Sequence, residues 1–122
     1  MIDCVRYVEQ STLIPDELKP EVQNNHFEVA PVVMSHSLRF LCYHHLNNIV
    51  NRQQSFRDLH LTINELYFVN NHTLSNSLTV LGVCNEIVDD KQGASYCYDA
   101  ALQCDCYICP TASKRKGNLN MT

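Results

Sequence analysis

Cysteine and histidine are the residues of this chain with the most specialised chemistry, and the sequence contains seven and six of them. Four cysteines follow the spacing Cys97-x6-Cys104-x-Cys106-x2-Cys109, and His44-His45 could supply two further ligands. Structural zinc sites commonly use two Cys-x2-Cys pairs, and only one pair here has that spacing. Buried thiols are therefore favoured over zinc, because cysteine packs well in a protein core. A cysteine-rich zinc-binding adaptor is kept as the alternative, with no metal ligand and no cofactor assigned.

Catalytic patterns are weak in this sequence. Cys84 and a histidine could act as nucleophile and base, but no local motif supports such a pair. The three glycines, Gly82, Gly93 and Gly117, do not form a phosphate-binding loop. The chain is therefore predicted not to be an enzyme, and no catalytic residue is assigned.

Basic and aromatic residues alternate in the middle of the chain, a pattern typical of proteins that bind single strands through phosphate contacts and base stacking. The predicted nucleic-acid-binding residues are Arg39, Tyr43, His45, Arg52, Arg57 and Lys91. Ordinary solvated side chains would give the same pattern. The net charge is −4, from 13 acidic and 9 basic residues, whereas an autonomous nucleic-acid binder normally has a basic surface. The charge therefore favours a protein partner, with DNA bound only as part of a complex.

Hydrophobic patterning predicts strands for the elements that would position these residues. Residues 77–88 are rich in β-branched and apolar side chains, residues 89–95 form a polar turn, and residues 100–108 alternate between two faces. Leu59, Leu61 and Ile63 also alternate with polar residues, which predicts a half-buried strand. Four to six strands with little helix indicate a small β-barrel.

The chain is short enough to form one folding unit, which we divide into three parts. Residues 1–34 are predicted to be an irregular arm, residues 35–112 a barrel, and residues 113–122 a basic flexible tail. Leu13, Ile14 and Leu18 on the arm are predicted to bind a partner, since exposed apolar residues on an irregular segment suit an interface. No segment is apolar enough to span a membrane, and the N-terminus lacks the core of a signal peptide, so an intracellular protein is expected.

Two segments resemble a known family. Leu38-Arg39-Phe40 and the apolar-x-apolar-x-Gly run from Leu78 to Gly82, followed by a polar turn, resemble strands of OB-fold proteins. More narrowly, the chain resembles the small OB subunits of replication protein A and of the CST telomere complex, and the terminin telomere-capping proteins of insects. The resemblance implies an all-β, five-stranded OB-like barrel.

The same resemblance implies a function. Such a subunit would form a heterodimer with another OB-fold protein, assist single-stranded DNA binding, and help to protect chromosome ends in the nucleus. The family's small subunits normally end in a long helix that pairs with a partner. Residues 110–122 are polar and basic here and show no amphipathic period, so either the chain is truncated or the partner docks elsewhere.

Overall fold

Helices dominate the computed structural model, which describes residues 5–7, 15–22, 27–67, 72–104 and 108–119. The N-terminal part contains strand β1 (Val5–Tyr7), a 3₁₀ turn (Asp16–Leu18), the short helix α1 (Lys19–Val22) and strand β2 (Phe27–Val29). Five longer helices follow: α2 (Pro31–His45), α3 (Ile49–Tyr67), α4 (Leu74–Ile87), α5 (Lys91–Leu102) and α6 (Pro110–Leu119). The two strands pair antiparallel, with Val5 opposite Val29.

The predicted all-β fold is wrong. Residues 35–112 were expected to form an OB-like barrel, and their described part instead contains most of α2 and all of α3, α4 and α5. Residues 113–119, predicted as a flexible tail, lie in α6. Both segments that carried the OB resemblance are helical, because Leu38-Arg39-Phe40 lies in α2 and Leu78 to Gly82 lies in α4.

Helices α2 and α3 form an antiparallel hairpin, called here the α2–α3 hairpin. Pro31 occupies the first helical position of α2, where its missing N–H costs no hydrogen bond. Asn47 lies in the connection with a φ of 57°, a left-handed conformation that asparagine tolerates better than most residues. Asn48 Oδ1 then accepts a hydrogen bond from the Asn51 backbone N–H (3.2 Å), which stabilises the start of α3.

The central helix is α4, whose residues from Ser75 to Asn85 are all buried. Polar side chains on this helix are tied to its neighbours. Ser75 Oγ donates to the Ala101 carbonyl (2.8 Å) and accepts from the Cys109 N–H (2.7 Å), and Asn76 Nδ2 donates to the Glu28 carbonyl (2.9 Å). These bonds connect α4 to α5, to the start of α6 and to β2.

Helix α5 makes the most extensive contact with α4. Its start is capped by Asp90, whose side chain accepts a hydrogen bond from the Gly93 N–H (2.9 Å). Gly82 on α4 allows the close approach, since an added Cβ would lie 2.8 Å from Tyr98 Cδ1 and Cζ. The core therefore consists of α4 enclosed by α5 on one side and by the α2–α3 hairpin on another.

Candidate binding surface

The cysteines of the predicted zinc alternative do not converge in the described part of the chain. Cys97 is buried on α5, Cys104 follows that helix, and Cys109 is buried just before α6. Cys106 lies outside the described residues. No three Cys, His, Asp or Glu side chains among the described residues form a group that could hold a metal ion.

Burial raises the pKa values of two cysteine thiols. It raises the pKa of Cys97 to about 12, and it raises the pKa of Cys84 as well, with the neighbouring Cys97 adding to the effect. The Cys84 thiol therefore stays protonated near neutral pH and does not act as a nucleophile in this conformation.

The predicted nucleic-acid-binding residues fall mostly on the α2–α3 hairpin. Arg39 and His45 are exposed and Tyr43 is half-buried on α2; Arg52 is half-buried and Arg57 exposed on α3; Lys91 is exposed at the start of α5. The structure thus brings five of the six to one hairpin, although on helices rather than on strands. Whether they bind nucleic acid stays a prediction.

Two of these residues are engaged within the protein. The His45 Nε2 atom lies 2.8 Å from Glu17 Oε2 on the 3₁₀ turn. Arg52 Nη1 lies 3.2 Å from His44 Nδ1, and because arginine can only donate, the imidazole nitrogen is the acceptor of this hydrogen bond. Arg52 therefore contributes to the contact between α2 and α3 more than to the surface.

The predicted partner-binding residues are not available as a group. Leu13 and Ile14 lie outside the described residues. Leu18 is buried in the core at the end of the 3₁₀ turn, so in this conformation it packs inside the protein.

Three large aliphatic side chains are exposed where α2 meets α3. Leu46, Ile49 and Val50 are 68%, 61% and 79% exposed, and we call them the aliphatic corner. They lie within five positions of sequence, at the turn between α2 and α3. Single exposed aliphatic residues are common on soluble proteins, whereas three at one turn make this corner a candidate contact site.

Each helix of the hairpin has exposed residues opposite its buried face. We call these residues together the outer face: Val32 and Arg39 on α2, Leu46 just after it, and Val50, Arg57 and Leu61 on α3. Residues three, four or seven positions apart share one side of a helix, which accounts for both sets. The outer face therefore combines aliphatic side chains with two arginines.

A polar group that joins α1 to α6 is called here the clasp, made of the buried Glu21 and Thr111 and the partly buried Arg115. Glu21 Oε2 accepts hydrogen bonds from Thr111 Oγ1 (2.5 Å) and Arg115 Nε (2.6 Å), and Oε1 accepts from Arg115 Nη2 (2.7 Å). Burial opposes the charge of Arg115, but the hydrogen bonds and negative charge of Glu21 outweigh it and raise the pKa of the guanidinium.

The clasp extends to α4 and α5 through Glu86. Arg115 Nη1 lies 3.8 Å from Glu86 Oε2, the same oxygen that accepts a hydrogen bond from the Tyr98 hydroxyl (2.5 Å). Burial, and then the hydrogen bond and charge of Glu86, raise the pKa of Tyr98. Because the polar groups are directed at one another, this cluster is suited to holding α1, α4, α5 and α6 together rather than to binding a substrate.

The fold and these two clusters define the chain as a helical module with an internal polar clasp and an exposed aliphatic corner. No protein-family model, curated protein or solved structure matches the chain. None of the helices in the described ranges is long and apolar enough to cross a membrane. The functional argument therefore depends on the chain's own residues.

The aliphatic corner was missed by the sequence reasoning, although the sequence contains a signal for it. Asn47-Asn48 is a polar pair with Leu46 before it and Ile49-Val50 after it, in a position where a bend is expected. In this helical hairpin, the large aliphatic residues on both sides of the polar turn are exposed and do not pack in the core. The signal was lost because residues 35–112 were interpreted as a β-barrel.

Proposed function

We propose that this chain is a non-enzymatic protein-binding module that works as a subunit of a larger assembly, and that the outer face of the α2–α3 hairpin is its docking surface. The observation that carries this proposal is the aliphatic corner. Removing a large aliphatic side chain from water contributes about 1.5–3 kcal/mol when burial is complete, so three adjacent ones supply a sizeable binding energy. Binding energy at protein interfaces is typically concentrated in such small clusters.

A protein partner is favoured over a nucleic acid on the same surface. Nucleic-acid affinity grows with the number of phosphates that cations neutralise, and the outer face offers two exposed arginines among four aliphatic residues. Tyr43, the aromatic residue predicted to stack on bases, is half-buried. Assistance of single-stranded DNA binding within a complex stays a prediction, which the aliphatic composition of this face does not favour.

The role at chromosome ends also stays a prediction. It depended on an OB-fold resemblance, and the helices α2 and α4 remove the structural reason for that resemblance. Heterodimer formation does not depend on the barrel, because a helical hairpin provides a docking surface equally well. The predicted heterodimer can be tested directly. The purified chain is mixed with OB-fold telomere subunits, and light scattering measures the mass of the products.

Site-specific photo-crosslinking tests the docking surface itself. A photoreactive amino acid replaces Val50, and the full chain is expressed in its native cells. The adducts are compared with those from the same probe at Tyr96 on α5, which is 74% exposed. We expect a discrete protein adduct from position 50 that disappears when Ile49→Ser is added. Ile49→Ser should leave folding intact, because exposed positions tolerate substitution.

The control separates a docking surface from general stickiness. Tyr96→Ser removes a similarly exposed apolar side chain and should leave the adduct from position 50 unchanged. Identical adducts from positions 50 and 96, or an adduct from position 50 that survives Ile49→Ser, would show that the aliphatic corner is not the docking surface.

A further inference from the structure

The contact between α2 and α3, called here the hairpin seam, contains three histidines. The seam residues recur at four-residue steps, and they are His36, Phe40 and His44 on α2 and Arg52, Phe56 and His60 on α3. Residues four positions apart share one side of a helix. The Phe40 and Phe56 rings meet across the seam with centroids 5.5 Å apart, and His44 meets Arg52 one step nearer the turn. His36 and His60 continue the two rows away from the turn.

A hydrogen bond at the turn end of the seam requires a lone pair on His44. Arg52 Nη1 lies 3.2 Å from His44 Nδ1, and arginine can only donate, so Nδ1 is the acceptor. A proton added to Nδ1 would remove this acceptor and place a second positive charge beside the guanidinium. The same hydrogen bond closes the turn that carries the aliphatic corner, since Leu46, Ile49 and Val50 lie between its two partners in sequence.

The nitrogen Nδ1 of His36 is buried, and it has no hydrogen-bond partner among the described residues. In a neutral imidazole with its proton on Nε2, this nitrogen carries a lone pair and needs no acceptor. Protonation would convert it into a buried N–H group without an acceptor, which is unfavourable. A closed seam therefore has no place for the second proton of His36.

His60 is half-buried and packs edge-on against the Phe56 ring, with ring centroids 4.7 Å apart. Burial lowers the pKa of His60, and the negative charge of Asp90 at the start of α5 opposes this effect without cancelling it. The cost of burying a charged imidazole therefore exceeds the help from this carboxylate.

Two further histidines have the opposite surroundings. His45 Nε2 lies 2.8 Å from Glu17 Oε2 on the 3₁₀ turn, and His72 Nε2 lies 3.0 Å from Glu28 Oε2 on β2. Protonation turns each contact into an ion pair between the N-terminal part of the chain and the helices. The His45 ring also lies beside that of His44, with centroids 5.6 Å apart, so a charge on His45 adds to the repulsion at the seam.

We propose that the hairpin seam is an acid-sensitive joint, in which protonation of His36, His44 and His60 loosens α2 from α3 and opens the turn at the aliphatic corner. The opened hairpin binds protons more tightly than the closed one, so a lower pH shifts the balance toward opening. The response begins as the pH falls through about 6.5, the ordinary value for a histidine in water. The N-terminal part stays attached, because its two histidine contacts gain from the same protons. The joint goes beyond the docking function and requires no partner.

Hydrogen–deuterium exchange followed by mass spectrometry measures this opening in the full chain. Exchange is recorded at about pH 7.5 and about pH 5.5, on either side of the histidine range, and corrected for the pH dependence of the chemical exchange step. At one pH unit below 6.5, one histidine that is protonated only in the opened hairpin reduces protection by up to about 10-fold. We expect protection in α2 and α3 to fall at least about 3-fold more than protection in α4 and α5.

A pair of matched variants assigns the response to the seam. His44→Gln/His60→Gln removes two titrating groups, and the glutamine at position 44 keeps an oxygen that can accept from Arg52. This variant should lose most of the acid response, whereas His45→Gln/His72→Gln should keep most of it.

The wild type alone can overturn the proposal. Unchanged protection of α2 and α3 at the lower pH would show that the seam does not respond to acid, and an equal loss in α4 and α5 would indicate general acid unfolding. An undiminished response in His44→Gln/His60→Gln, or a response that disappears only in His45→Gln/His72→Gln, would also refute the role of the seam.

Discussion

The buried pair between Glu21 and Arg115 allows a quantitative test of the fold. The Glu21 side chain is fully buried, so Glu21→Met leaves the guanidinium of Arg115 with Glu86, 3.8 Å away, as the remaining nearby carboxylate. Breaking a buried ion pair by removing one partner typically costs about 3–5 kcal/mol, because the other charge stays buried without compensation. A domain of this size has a total stability of about 5–15 kcal/mol, so the variant should lose a large part of its stability.

A double-mutant cycle distinguishes this pair from ordinary packing. Arg115→Met should be similarly destabilising, whereas Glu21→Met/Arg115→Met removes both charges and should lose much less than the sum of the two single variants. We expect a coupling free energy of at least about 2 kcal/mol, within the range found for residues in direct contact. Urea unfolding followed by far-ultraviolet circular dichroism gives the free energies.

An exposed ion pair serves as the control for the cycle. Lys116→Met disrupts the pair with Asp99, whose side chains are both partly exposed, and should change stability by less than about 1 kcal/mol. If the losses in the Glu21 and Arg115 variants simply add, the two side chains do not interact and the placement of α6 against α1 is wrong.

Three further predictions follow from burial. Gly82→Ala should destabilise by at least about 1–3 kcal/mol in urea unfolding, because the new methyl group meets the buried Tyr98 ring; a neutral effect would mean that α4 and α5 are farther apart. Burial lowers the pKa of His60 below its ordinary 6.5, so the unfolded chain binds protons more readily than the folded protein. The free energy of unfolding should therefore fall as the pH drops below about 6.5, and it should fall less in His60→Gln. Equal acid sensitivity of the wild type and His60→Gln would contradict this. In the native protein, a maleimide should label the exposed Cys42 quickly and the buried Cys84 only on unfolding, and equal labelling rates would contradict the burial of α4.

Sequence reasoning failed most clearly at the centre of the fold. Residues 77–88 were assigned to a strand because they are apolar and β-branched, but most of them belong to α4. A helix that is enclosed on all sides has no polar face, so it lacks the 3.6-residue period that separates helix from strand. The run is also longer than a typical strand, and this length was the available clue.

The prediction at Leu59, Leu61 and Ile63 failed for a different reason. Leu59 and Ile63 are buried, as expected, but they are four residues apart on α3, and Leu61 is 63% exposed. Buried residues at both i and i+4 fit a strand and a helix equally well, and only the middle residue distinguishes the two. Leu61 therefore contributes to the outer face and not to the core.

Other features of the structure could be predicted in part from the sequence. Burial of cysteines was expected, and Cys84, Cys97 and Cys109 are buried. The capping pattern of Asp90 and Gly93 predicts a helix start, but it was interpreted as a turn between strands. The clasp could not be predicted at all, because nothing local connects Glu21 with a residue 94 positions later.

That separation along the chain has a consequence for biosynthesis. At about 5–20 residues per second, Glu21 is synthesised roughly 5 to 20 seconds before Arg115. The α2–α3 hairpin depends on local contacts and can form early in that interval, whereas the Glu21 carboxylate has no Arg115 guanidinium to pair with until α6 is made. The clasp can therefore form only after α6 has been synthesised, and a nascent chain stalled before Pro110 would present a formed α2–α3 hairpin on an unfinished domain.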